Sequence, residues 1–338
     1  MAPPLSGSVG SLAAKPRRRS SVDVFLDEEE RIAMLRAEAR RGLTSLPKQL
    51  PPKWFYDQRG SELFEEITRL PEYYLTRSER EILLRRADEI ASLTNSESLV
   101  ELGSGSSEKT TILLDALVRR GSLTTFVPFD VCLPALQQAS AALAREYPDL
   151  AVHAIVGDFD HHLPLLPRQG RRLVAFLGST IGNFDVDHRA SFFAQLGSAL
   201  APGDFLLLGT DLVKDPARLE AAYNDSAGVT AAFNRNVLRV LNRDLGADFV
   251  EDQFQHVATY DGDRDLIDIR LRSLQAQRVN VGALKLVVPF AAGEEMRTEI
   301  SAKFTRAGLQ DELGTAGYFL VRWWTDRAGD FALSLWGV

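Results

Sequence analysis

Apolar residues recur with two different periods along this chain, and the change of period divides it. From Asp27, Ile32, Leu35, Ala39 and Leu43 repeat at helical spacing, and Gly42 lies near the expected helix end. Pro47 to Pro52 breaks the pattern, and the aromatic run Lys53-Trp54-Phe55-Tyr56-Asp57 follows. Leu63, Phe64 and Ile67 share one face of a short helix expected over 61–68. Pro71-Glu72-Tyr73-Tyr74 reads as a loop, and Ser78 as the cap of a helix carried by Ile82, Leu83 and Ile90. Strand and helix then alternate. Short apolar runs at 99–102, 125–129, 152–156, 172–176 and 205–211 are separated by helical stretches at 109–118, 134–145 and 188–200. That rhythm predicts an α/β fold, an open parallel sheet with helices on both faces.

Beyond Asp211 the rhythm stops. Residues 215–245 read as two helices, and from Phe254 onward short alternating stretches, such as 266–271, 278–288 and 301–304, read as antiparallel strands. One amphipathic piece is expected near Met296–Glu299. The division expected is therefore a nucleotide-type domain over 78–213 and a second, α+β domain built from 27–77 and 214–338. Met1–Val22 holds no acid and ends in a Lys-Pro-Arg-Arg-Arg run. Its composition is that of a transit peptide or a mobile basic tail; without an apolar helical face the tail is favoured, extending over 1–26.

Composition removes several function classes. The 338 residues carry one cysteine and a net charge of −7. One cysteine forms no internal disulfide, the five histidines show no ligand spacing, and no metal is implied. The acidic balance argues against a nucleic-acid partner. No apolar run is long enough to span a bilayer, and the first residues lack the apolar core of a secretory signal, so a cytoplasmic location and a small-molecule partner are expected.

Chemistry gathers at the strand ends. Glu101-Leu102-Gly103-Ser104-Gly105 follows the first predicted parallel strand, where glycines permit positive φ and close approach of a ligand. A dinucleotide fingerprint would place a third glycine at 108; glutamate stands there, and with Glu101 it would repel a pyrophosphate. A cationic, phosphate-free cofactor, S-adenosylmethionine, suits the loop better. Asp130 ends the next strand, where a carboxylate can accept from ribose hydroxyls, and Gly157-Asp158-Phe159 follows the third, where Asp and Phe can read an adenine. Each alone is an ordinary turn residue. Three at consecutive strand ends point to a class I, Rossmann-like methyltransferase.

Longer motifs sharpen this. Glu101–Thr110, Phe176-Leu177-Gly178-Ser179-Thr180-Ile181-Gly182-Asn183, Leu208–Asp215, Gly228–Asn236 and Pro52–Asp57 together resemble the histidine Nα-methyltransferases of ergothioneine biosynthesis, from about residue 40 to the C-terminus. The resemblance implies three methyl transfers from S-adenosylmethionine to the α-amine of L-histidine, giving hercynine. It also implies a second domain made of N- and C-terminal segments, and a monomer. By motif, Tyr56, Gly103, Lys109, Asp130, Asp158 and Phe159 line the cofactor. Asn183 and Tyr223 hold the substrate carboxylate, Tyr56 and Tyr73 lie near the substrate, and Glu299 with Ser301 hold the imidazole. Tyr56 and Asn183 are the catalytic candidates.

Residue chemistry agrees with these roles and leaves plainer readings beside them. Glu299 and Ser301 stand at i and i+2 of an expected strand and so share a face; a solvated Glu and a cross-strand Ser are the bland alternatives. Phe64 and Phe233 can face a quaternary ammonium product or simply fill the core. Ile269 occupies a position where actinobacterial members commonly carry methionine, which keeps the volume but loses a thioether contact to the imidazole. The competing functions are an Nα-methyltransferase for another amino acid, such as tryptophan, and a protein that binds S-adenosylmethionine without catalysis.

Overall fold

A computed structural model describes residues 20–105 and 109–338. Most of the expected tail and positions 106–108 of the glycine loop lie outside them. From the N-terminal side, β1 (Ser20–Val24) leads into α1 (Glu28–Thr44), the two-residue strand β2 (Lys48–Gln49), α2 (Gln58–Thr68) and α3 (Leu75–Thr94). The alternating stretch is β3 (Ser98–Leu102), α4 (Thr110–Arg120), β4 (Thr125–Asp130), α5 (Leu133–Glu146), β5 (Ala151–Val156), the single turn α6 (Phe159–His162), β6 (Arg172–Phe176), α7 (Val186–Ala199) and β7 (Phe205–Asp211). There follow α8 (Pro216–Tyr223), α9 (Val229–Leu245), β8 (Phe254–Asp261), β9 (Leu266–Ser273), the hairpin β10 (Gln277–Val281) and β11 (Leu286–Phe290), and β12 (Glu295–Ala302). The chain closes with α10 (Arg306–Thr315), β13 (Phe319–Thr325) and β14 (Phe331–Gly337).

The large sheet has the order β1-β5-β4-β3-β6-β7-β14-β13. Neighbours from β1 to β7 are parallel, while β14 and β13 run antiparallel. Strand order reverses on either side of β3, and the crevice at such a reversal, beyond the strand C-termini, is where open α/β sheets bind ligands. Every side chain of β3, β6 and β14 is buried, as expected for strands covered on both faces. The fold is thus α/β, a Rossmann-like sheet carrying a smaller four-stranded sheet of order β2-β12-β9-β8. Among the described residues no helix is long and apolar enough to cross a membrane.

Several expectations are corrected. The tail was expected through residue 26, but Ser20–Val24 adds an edge strand to β5, with Val24 opposite Val156. All five of its side chains are exposed. Backbone hydrogen bonding, invisible to hydropathy, recruits it. The second domain does not run to the C-terminus: β14 pairs with β7 along its whole length and β13 with β14, so the last strands complete the large sheet. Leu309 and Leu313 of α10 belong to the same apolar cluster as Phe193 of α7 and Trp336 of β14. Ser78 lies inside α3 rather than capping it, and its hydroxyl donates to Asp326 Oδ2 at 3.2 Å. Met296–Glu299 is part of β12. The two sheets do not have separate interiors, because one apolar cluster joins Leu99, Leu117 and Phe126 to Val237, Phe254 and Ile269.

Candidate active site

The strand ends at the reversal carry the first group of candidates. Gly103 directly follows β3 with φ +68°, in the left-handed region, and its N–H donates to the Phe129 carbonyl at 2.8 Å. A Cβ there would meet the Phe159 ring at 3.5 Å. Phe159 in turn stacks on Phe129, with centroids 5.4 Å apart. The Asp130 carboxylate accepts the Gly105 N–H and the Cys132 N–H, each at 3.0 Å. Burial raises its pKa, and these backbone donors oppose the rise. Asp158 accepts the Asp160 N–H at 2.9 Å and pairs with Lys53 Nζ at 2.5 Å; Lys53 also reaches Glu38 at 2.9 Å. Burial pulls the Lys53 ammonium down, but the two carboxylates together hold it above its ordinary value. Lys109, at the start of α4, pairs with the fully buried Glu79, whose other oxygen accepts the Gly178 N–H at 2.8 Å.

Beside these residues, next to the ends of β1, β4 and β5, a cavity of about 400 Å³ is lined by Leu26, Lys53, Trp54, Tyr56, Cys132 and Asp158, among others; of the residues expected at the cofactor, Tyr56 and Asp158 line it, while Gly103, Lys109, Asp130 and Phe159 do not. Glycine-permitted backbone, a ribose-type carboxylate at one strand end and an Asp-Phe pair at the next suit a cationic, phosphate-free nucleoside cofactor. Among the described residues no cluster of three or more His, Cys, Asp or Glu could hold a metal ion.

A second, smaller pocket of about 50 Å³ adjoins it. Glu299 and Ser301 enter from β12, and Asn183 from the helical turn Thr180–Asn183 that follows β6. Tyr223 ends α8, Tyr73 precedes α3, and Phe64 of α2 and Phe233 of α9 supply apolar faces. The rings interlock: Tyr56 meets Phe233 edge-on at 5.4 Å and Phe64 at 5.7 Å, and Tyr73 meets Tyr223 at 6.1 Å. Tyr56 is placed by the turn Pro52–Phe55, which Asn236 of α9 anchors through the Phe55 carbonyl at 3.0 Å and Asp57 at 2.8 Å. Tyr56 is the one residue that lines both cavities.

The electrostatics of the pocket are unusual. Burial raises Glu299 from 4.5 to about 7, although Lys303 and a hydrogen bond from Asn183 pull it back. Burial also lifts Tyr56, Tyr73 and Tyr223 well above the ordinary phenol value, with Glu299 adding to each rise, so all three are neutral phenols near pH 7. The hydroxyls of Tyr223 and Ser301 share a hydrogen bond of 2.8 Å.

Tyr56, Tyr73, Asn183, Tyr223, Phe233, Glu299 and Ser301 thus come together. Gly103, Lys109, Asp130, Asp158 and Phe159 flank the crevice beside them. Ile269 does not join the pocket lining: it is buried on β9 directly opposite Glu299. Sequence reading missed Lys303 and Glu79. Lys303 continues the alternation of Glu299 and Ser301 by two residues, but a lysine is ordinarily exposed and the spacing alone does not place it inside. Glu79 carries no sequence signal, since only the fold brings it to Lys109.

Comparison with known proteins follows the same line. The family described as histidine-specific, S-adenosylmethionine-dependent methyltransferases matches residues 35–338. A histidine N-alpha-methyltransferase of Mycobacterium tuberculosis is 56% identical over 317 residues, covering 94% of this chain and 99% of that protein. One of Mycolicibacterium smegmatis is 55% identical, covering 92% and 97%. Ergothioneine biosynthesis protein 1 of Neurospora crassa is 32% identical over 82% of this chain, but only 32% of that longer protein is covered.

Proposed function

This chain belongs to the histidine-specific, S-adenosylmethionine-dependent methyltransferases, and from that premise we propose that it methylates the α-amine of L-histidine three times, giving hercynine, the opening step of ergothioneine biosynthesis. The observation that carries the reading is the shared wall. Tyr56 lines both the cavity assigned to the cofactor and the pocket that also holds Glu299 and Ser301.

Asn183 and Tyr223 hold the substrate carboxylate with an amide N–H and a phenol O–H. Glu299 accepts one imidazole N–H, and the Ser301 hydroxyl serves the other ring nitrogen. With both ends fixed, only the α-amine is left to face Tyr56, so methyl groups go to that nitrogen and not to the ring. Gly103, Asp130, Asp158 and Phe159 hold the nucleoside, and Lys109 its amino-acid end. S-adenosylmethionine supplies a sulfonium-bound methyl already activated toward an amine. The protein's part is chiefly positioning.

The Tyr56 phenol stays protonated and is therefore no strong base; in the first two transfers its oxygen accepts from the amine N–H and turns the nitrogen lone pair toward the cofactor cavity, and before the third, when the neutral tertiary amine has no N–H, the carboxylate and imidazole contacts alone hold the nitrogen in place. A low-polarity pocket disfavours the charged ammonium and eases loss of the proton before each attack. After the third transfer the nitrogen has no donor left, and the Tyr56 and Phe233 faces stabilise the quaternary cation.

Mass spectrometry of products from purified protein, S-adenosylmethionine and each common amino acid tests this. A gain of three methyl groups on histidine alone is expected. Methylation of another amino acid, such as tryptophan, would overturn the substrate. Cofactor binding without product would overturn catalysis.

A further inference from the structure

Lys303 is a fully buried cation that no step above uses. Its ammonium donates to Ser301 Oγ at 2.8 Å and to Tyr223 Oη at 3.0 Å, and lies 3.0 Å from Asp211 Oδ2. Those three contacts exhaust its three protons. Asp211 is fully buried too and is anchored from behind by the Tyr74 hydroxyl at 2.9 Å and by Lys214. The ammonium is therefore fixed in place and does not reach for solvent. Lys303 also extends the series Glu299, Ser301 on the same face of the chain leaving β12, directly behind the residues proposed to read the imidazole and the carboxylate.

We propose that Lys303 is the positioning residue of the substrate pocket: by filling a lone pair on both the Ser301 and Tyr223 hydroxyls, it orders the pair so that the proton their mutual bond does not use faces the bound amino acid. The argument is an inventory of donors. Each hydroxyl has one proton and two lone pairs, and the Tyr223–Ser301 bond of 2.8 Å uses one proton of the pair. The Lys303 ammonium occupies a further lone pair on each oxygen, so the remaining proton has no acceptor within the triad. With Ser301 donating to Tyr223 Oη, arriving substrate takes the Tyr223 proton with its carboxylate, and the second Ser301 lone pair accepts a ring N–H. The inference rests on the substrate reading given above.

Lys303→Met keeps the length of the side chain and removes all three donors. The expected result is a KM for histidine raised about tenfold or more, the cost of losing charge-assisted orientation. Turnover at saturating histidine stays within about threefold, and affinity for S-adenosylhomocysteine within about twofold, a split that a general loss of packing would not produce. Ser301→Ala raises the histidine KM in the parent but adds little in the Lys303→Met background. Lys303→Met/Asp211→Asn removes the cation together with its counter-ion, and must show the same loss if the single variant folds poorly. An unchanged histidine KM, a parallel loss of cofactor affinity, or strict additivity with Ser301→Ala overturns the proposal. If Glu299→Ala and Ser301→Ala leave the histidine KM unchanged, the substrate reading falls and this inference with it; if they raise it and Lys303→Met does not, only this inference falls.

Discussion

Glu299→Gln is expected to make the protein more stable and a poorer binder of histidine, and the size of the first effect follows from burial. In the unfolded chain the Glu299 carboxyl titrates at its ordinary 4.5, and in the folded pocket at about 7. At roughly 1.4 kcal/mol per pH unit, ionising it in the fold costs about 3 kcal/mol more than in the unfolded chain. The folded pKa is the higher one, so the folded state binds more protons than the unfolded state between those values. Stability is therefore undiminished below about pH 4.5, falls as pH rises through 7, and carries the full cost above it. Glutamine has no charge to bury. At pH 8 the variant should melt higher by about 5 °C, the gap closing toward pH 5. Calorimetry at pH 8 should show histidine bound about ten- to a hundredfold more weakly, since a hydrogen bond to a charged acceptor is worth about 1.5–3 kcal/mol. Thermal unfolding of both proteins from pH 5 to 8 decides the matter. Stability curves that run parallel over that range would refute the claim that the pocket strains against its own carboxylate.

Tyr56→Phe is expected to lower kcat about ten- to a hundredfold with the histidine KM little changed, because one orienting hydrogen bond is lost at the reacting nitrogen; steady-state kinetics showing unchanged kcat would remove Tyr56 from the chemistry. A Cβ on Gly60 would fall on the Phe55 carbonyl oxygen, so Gly60→Ala must displace the turn that carries Tyr56; a cost of about 1–3 kcal/mol and a fall in kcat are expected in melting and rate assays. Asp204 takes two guanidinium contacts and a backbone N–H from the buried Arg172. Asp204→Ala should cost about 3–5 kcal/mol in denaturant titration, with both KM values unmoved in the protein that remains folded.

How much of this was legible in the chain depends on what hydropathy can register. The parallel strands and their helices were visible because buried strands are apolar runs, and Gly103, Asp130 and Asp158 stood out as candidates because open α/β sheets bind ligands beyond their strand ends. β1 was not visible: Ser20–Val24 buries no side chain, and it is held by its backbone pairing with β5 and by Asp23 against His153. The closing pair β13 and β14 was expected in the wrong body. Phe331–Gly337 is an unbroken run of buried residues, the mark of a strand covered on both faces, whereas β8 has exposed positions at Gln255 and Thr259. That contrast was present in the sequence, but nothing local names the partner strand. Among the site residues, Glu299 and Ser301 followed from alternation once a resemblance gave them meaning. Lys303 obeyed the same alternation, yet needed the fold to show what it touches.

The arrangement also bears on how three transfers can use one geometry. Glu79 holds Lys109 on one oxygen and the Gly178 N–H on the other, and Gly209 leaves room for it, since a Cβ there would fall on the Glu79 carboxylate. Gly178 opens the loop that ends at Asn183. Within that loop Ser179 Oγ accepts the Asp211 N–H at 3.0 Å, and the Asp211 carboxylate meets Lys303 behind Ser301 and Tyr223. A Cβ on Gly182 would come within 3.0 Å of the Ala302 carbonyl oxygen, so this loop lies directly against β12. The lysine proposed for the cofactor, the amide proposed for the carboxylate and the serine proposed for the imidazole are therefore tied together through the buried Glu79, Asp211 and Lys303. On the proposed reading the amino acid stays registered by its two ends while its amine changes from primary to tertiary, and the nucleoside, whose cavity is the larger of the two and is bordered by the half-exposed Arg243, exchanges between transfers.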